Sequence, residues 1–177
     1  TVDYLYDHYF GVRAGGTGQW LNELVPVSLG YLPGTNIVRV IYETEILRIT
    51  CHWFIPFHLP DSDGENEARV LVSALSLEAL GGAVDEVAVA SLWNAHLGGE
   101  SDASDESATV DATDMIVSES REATHLAYQN LVLDQAAYSI DVGGGAHNPW
   151  VLFSGGAPFE DHVTEGPATD LVVGFEN

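Results

Sequence analysis

A chain of 177 residues with 27 Asp and Glu against five basic residues carries a formal net charge of −22. Its hydrophobic fraction of 46%, with four Trp, seven Tyr and six Phe, excludes the disorder that such charge imposes on apolar-poor chains. There is no basic patch to displace counterions, so nucleic acid is not an expected partner.

The opening, TVDYLYDHYF, has neither a basic n-region nor an apolar h-region, so no secretory signal peptide is expected. No apolar run is long enough for a membrane-spanning helix. Tyr4, Tyr6, His8 and Phe10 alternate onto one face of a predicted strand, with Tyr9 and Trp20 nearby. Tyr and Trp bury much area at low entropy cost, so Tyr4, Tyr6, Tyr9, Phe10 and Trp20 are candidates for a subunit interface. The alternative is an edge strand covering its own core.

The strongest local signal is NIVRVIYETEILRITCHWFIPFHLP, residues 36 to 60. Leu47, Ile49, Cys51, Trp53 and Ile55 alternate with Arg48, Thr50, His52 and Phe54, which is the period of a half-buried strand. One long bent strand or two consecutive strands fit equally. Further strands are predicted at 68–77, at 124–134 and 136–142, at 148–156 and at 170–177; residues 85–97 alternate as a strand does, but Val84, Val87, Ala88 and Ala95 also suit a helical face. Residues 98 to 114, GGESDASDESATVDATD, inside the low-complexity stretch 98 to 120, read as a solvated acidic loop held open by self-repulsion, with cation binding or a contact surface for a partner as the alternative. Glycine pairs punctuate these runs. About eight short strands on one domain spanning 1–177 predict an all-β fold, a jelly-roll β-barrel or sandwich with long acidic loops.

The residues that could carry chemistry are scattered. DSDGENE, 61 to 67, offers Asp61, Asp63, Glu65 and Glu67 as loose cation ligands. It fails the calcium-loop pattern, because Gly64 is fourth and Val72 stands where the closing Glu belongs. The seven histidines form no His-x-His pair. Cys51 and His52, as strand neighbours, point to opposite faces and cannot form a dyad. Cys51 reads as a buried small apolar residue, with an intermolecular disulfide as the alternative. FSGGAP lacks the first glycine of a nucleophile elbow. RAGGTGQW has glycines but no predicted helix after them to bind phosphate. No catalytic constellation and no cofactor site are expected.

All five cations are arginine; lysine is absent. Such a surface repels itself in dilute buffer. In molar salt the Debye length falls to about 3 Å and the repulsion is screened. The composition therefore points to a protein adapted to brine.

IVRVIYETEILRITCHWFIPF, ARVLVSALSL, NPWVLFSGG and DLVVGFEN, on an acidic lysine-free chain of this size, resemble the small single jelly-roll major capsid proteins of membrane-containing icosahedral viruses of halophilic archaea. The resemblance spans the chain in size and pattern and rests on no diagnostic motif. It implies a structural, non-enzymatic subunit in the virion, assembled in the host cytoplasm. Its partners would be copies of itself and a larger sister capsid protein in pseudo-hexameric capsomers, over a viral membrane. A carbohydrate-binding sandwich, with Trp93 and Trp150 as sugar platforms, fits the same composition. A cupin-like enzyme fits less well, for want of the His-x-His pair.

Overall fold

The computed structural model describes residues 5–16, 18–56, 70–98, 104–132 and 136–177. The protein is all-β. Thirteen strands stand among the described residues, where the sequence suggests about eight, and the one α-helix among those residues is short. The chain divides into two compact units, one of residues 1–22 with 85–177 and one of residues 23–84.

The larger unit opens with β1 (Leu5–Ala14) and β2 (Gln19–Trp20), leaves through the 3-10 turn Leu21–Glu23, and resumes at β7 (Val87–Ala95). It continues through β8 (Ser107–Asp111), β9 (Ile116–Arg121), β10 (Thr124–Gln129), β11 (Ala137–Val142), β12 (His162–Val163) and β13 (Leu171–Glu176). One sheet has the order β12-β11-β13-β7-β1-β2; the other is the meander β10-β9-β8. Their facing sides share one apolar core. Ala95, Ile140, Leu171, Val173 and Phe175 come from the first sheet, and Met115, Val117 and Tyr128 from the second sheet and its turn.

Strand β13 is buried on both faces, which explains its nearly unbroken apolar sequence. Leu171, Val173 and Phe175 face the second sheet. Val172 joins a separate cluster on the other side, with Trp20, Ala90, Leu92, Phe153 and Phe159.

That cluster includes the helix α1 (Pro149–Ser154), in a segment expected to be a strand. The capping chemistry decides otherwise. Asn148 accepts a hydrogen bond from the Trp150 N–H, Pro149 occupies the first turn, and Gly155 closes the helix. Glycines let α1 approach the sheet. A Cβ on Gly11 would lie 2.5 Å from Phe153 Cε1 and 3.0 Å from Trp20 Cε3. A Cβ on Gly174 would lie 2.5 Å from the Cβ of Pro149. The half-buried Arg13 pairs with the buried Glu176 and so joins β1 to β13, and the guanidinium lies 5.3 Å from the Phe153 ring centre.

The acidic segment is also more structured than its composition suggests. From Glu106 onward it forms a bridge to Ala168 and then the hairpin β8–β9, while 99–103 lie outside the described residues. The sequence reading missed Val110 and Val117, which face each other across that hairpin.

The smaller unit is an antiparallel meander in chain order: β3 (Ser28–Tyr31), β4 (Val38–Glu43), β5 (Leu47–Phe54) and β6 (Val72–Ala79). Among its described residues, 36 to 56, the run from 36 to 60 therefore holds two strands. Thr44 turns the chain between them, its hydroxyl accepting from the N–H of Leu47 at 3.0 Å. Alternation along β5 buries Leu47, Ile49 and Cys51, and Val40 on β4 pairs with Cys51.

Gly11→Ala is expected to lower unfolding free energy by about 1–3 kcal/mol, the usual cost of overpacking a close contact. Denaturant titration beside the native chain checks this, with Gly144→Ala, where a Cβ meets only open space, as the neutral comparison.

Candidate functional site

The N-terminal aromatics occupy varied positions. Phe10 and Trp20 are buried in the larger unit. Trp20 stacks on Trp150 at 4.9 Å and donates from Nε1 to the Ser154 hydroxyl at 2.9 Å. Tyr9 is half-buried, meets Trp150 edge-on at 5.9 Å and donates its hydroxyl to Asp7. Tyr6 lies in β1 but its side chain is outside the described residues, as are Tyr4 and the acidic loop with Asp61, Asp63, Glu65 and Glu67.

The two tryptophans considered as sugar platforms each have a ring face engaged. Trp150 lies against Trp20, and Trp93 stacks on His8 at 3.6 Å. Burial pushes His8 down to about 3, so that imidazole is neutral. Cys51 is fully buried, and burial pushes its thiol up to about 12.

One histidine pair does come together. His147 and His162 stack with ring centres 4.0 Å apart, and His147 Nδ1 lies 3.2 Å from Glu160 Oε2 without hydrogen-bond alignment. Asp141 sits close by. Burial pushes its pKa up, but hydrogen bonds from the Thr164 hydroxyl and the N–H groups of Val142 and His147, with His162 near, outweigh that and hold it below its ordinary value. These bonds engage both carboxylate oxygens in fixing the turn before α1. Among the described residues no group of three or more His, Cys, Asp or Glu is placed to hold a metal ion.

The sequence reading passed over two acids inside the sandwich. Glu106 and Glu119 are both fully buried. Glu106 accepts from the N–H of Leu97 at 2.8 Å and from the N–H of Leu171 at 3.2 Å. Burial raises its pKa and those two bonds oppose the rise. Glu119 accepts from the Tyr128 hydroxyl at 2.7 Å, and its other oxygen has no protein partner. Burial, with the charge of Glu106 nearby, pushes Glu119 up to about 8 against the Tyr128 bond. Strand alternation offered a signal here: Val117, Glu119 and Arg121 share a parity, and Val117 is core.

The surface carries a second feature that the sequence reading passed over. Val25 is 87% exposed, Leu29 67% and Tyr31 72%, and Val27 is exposed as well. Every residue of β3 is exposed. No charged side chain occurs from residue 24 to 38, although the chain as a whole is strongly acidic. Leu131, Val132 and Val151, on the larger unit, are also exposed. Isolated apolar side chains on a surface are ordinary; a close succession of them is less so.

No family model matches the chain, and no curated protein or solved structure matches it either.

Two substitutions probe the buried acids. Glu106→Ala leaves two buried N–H groups without an acceptor and is expected to cost on the order of 3 kcal/mol, read by denaturant titration. Glu119 has a folded pKa raised from 4.5 to about 8, so the folded state binds its proton more tightly. Its contribution to stability is full below 4.5 and is lost as pH rises to about 8, with a slope up to about 1.4 kcal/mol per pH unit. The difference in stability between the native chain and Glu119→Gln is expected to grow in favour of the variant across that window and to be flat above it.

Proposed function

We propose that this chain is a structural subunit of a shell. In this reading it is a major capsid protein of a membrane-containing icosahedral virus of a halophilic archaeal host. The observation that carries the proposal is the run of exposed apolar side chains at Val25, Val27, Leu29 and Tyr31 on an otherwise acidic, all-β chain. Such a surface is costly in a free monomer and useful in a subunit that is covered on assembly.

The physical logic of assembly in brine supports the reading. At a net charge of −22, two copies repel each other in dilute buffer. Molar salt screens that repulsion. Contact is then decided by apolar area. The larger unit supplies rigid facing sheets in the role that the two sheets of a jelly roll play, though its strand order is its own. Capsomers with a larger sister protein over a viral membrane, assembled in the host cytoplasm, complete the proposal. These rest on the resemblance in sequence pattern. A subunit of this kind acts mechanically and needs no catalytic group or cofactor.

Light scattering in about 3 M and about 0.2 M salt is the test. Oligomers or larger shells in high salt, falling apart in low salt, are the expected outcome. A folded monomer in both salts overturns self-assembly and turns attention to glycan binding by a halophilic β-sandwich.

A further inference from the structure

We infer that two copies of the chain join edge to edge through β3, in antiparallel register about a two-fold axis at Gly30. The inference rests on the self-assembly reading and names the seam. Among the described residues, β3 is the outer strand of its sheet and pairs only with β4.

The backbone indicates the register. Leu32 donates to Ile37 at 2.9 Å, across the turn from β3 to β4. In an antiparallel ladder hydrogen-bonded and non-bonded pairs alternate. Gly30–Arg39 is therefore a bonded pair, while Leu29–Val40 and Tyr31–Val38 are non-bonded. The N–H and C=O of Leu29 and Tyr31 thus point away from β4, towards the open edge. A neighbouring strand must meet both residues in bonded pairs. With Gly30 on the two-fold axis, Leu29 of each copy pairs with Tyr31 of the other, and all of these outward groups are used. Other symmetric registers do worse. Pairing Tyr31 with Tyr31 sets Leu29 opposite Pro33, which has no N–H to give. Pairing Leu29 with Leu29 sets Tyr31 opposite Val27, whose N–H already donates to Ile41 at 2.8 Å.

Side chains and charge agree. In the Gly30 register each Leu29 lies beside the other copy's Tyr31 on one face, an apolar–aromatic cross-strand pair. A second copy of this chain is the fitting occupant because the surface is neutral and self-complementary. A basic partner would be drawn to the acidic surface, whereas residues 24 to 38 carry no charged side chain. Natural sheets commonly protect open edges with charge or proline. Pro26 and Pro33 flank β3 and confine pairing to the strand itself.

Cysteine cross-linking tests the seam in the full chain. Cys51 is the sole native cysteine and is buried. Gly30 and Gly81 both have open space where a Cβ would go. Across the axis, the two residues at position 30 form a non-bonded pair with Cα atoms about 4.5 Å apart, within disulfide reach. In about 3 M salt under mild oxidation, Gly30→Cys is expected to form covalent dimers faster than Gly81→Cys by on the order of tenfold, as paired thiols share a high local concentration. Leu29→Glu with Tyr31→Glu is expected to abolish association while leaving the circular dichroism spectrum unchanged. If the native chain stays monomeric in high salt, the self-assembly reading and the seam both fall. If it assembles but Gly30→Cys cross-links no faster than Gly81→Cys, or the double Glu variant still assembles, the seam alone falls.

Discussion

A buried carboxylate fixes where the two sheets of the larger unit meet. Glu106 bonds through its side chain to the N–H of Leu97, just past β7, and to the N–H of Leu171, at the start of β13. Its own backbone exchanges both bonds with Ala168, at 2.9 and 2.7 Å. One residue thus joins the strand that enters the small sheet to two central strands of the large one. The apolar core between them, Leu97 and Leu171 included, lies next to this joint. A neutral side chain would satisfy those donors less strongly, since bonds to charged acceptors are the stronger ones. Desolvating the carboxylate opposes that gain, and the paired N–H groups offset it.

The same sandwich is closed on its outer side by fit. Phe153 enters a space left by Gly11 and Gly18, and the Gly18 N–H donates to the Phe153 carbonyl at 3.1 Å. Packing of this density leaves little freedom to the large sheet, and β13 in particular is enclosed on both faces. The smaller unit contrasts with it. Its outer strand is exposed throughout, and its visible charge chemistry is the surface ion pairing of Arg48 with Glu43 and Glu78. Exposed pairs of that kind contribute little in water and less in salt. In brine, apolar contact outlasts ionic contact. Surfaces meant to join would then be apolar and neutral, and those meant to remain wet would be acidic.

Much of the fold was legible in the residues. Short apolar runs marked β11 and β13, β7 suited a strand or a helical face alike, and period-two alternation found β5 and placed Cys51 inward with Leu47 and Ile49. It failed where local capping outranked apolar content. The segment from Asn148 to Gly156 is apolar enough for a strand, but Asn-Pro at its start supplies a helix cap and a first turn. It failed again where composition masked pattern. Residues 104 to 121 look like an acidic loop because Ser, Thr, Asp and Glu dominate their composition, and only the alternate positions reveal a sheet with acids inside. The interface candidates were chosen by residue type. Aromatic residues near the start drew attention, yet Phe10 and Trp20 are large and apolar for the needs of their own core. The exposed strand β3 was overlooked because Val, Leu and Tyr in a short alternating run read equally as core. Burial alone separates the two cases.

The formal charge of −22 counts every acid as ionised. Glu119 does not fit that count. It is surrounded by apolar core, bonded by one hydroxyl and raised to about 8. At neutral pH the unfolded chain leaves this carboxyl ionised, and the folded chain holds it protonated. Folding therefore draws about one proton from the surrounding buffer. The heat of folding then includes the ionisation heat of whichever buffer supplies it, so calorimetric enthalpies differ between phosphate and Tris by an amount that reports the net proton uptake, and the part lost in Glu119→Gln is this side chain's share.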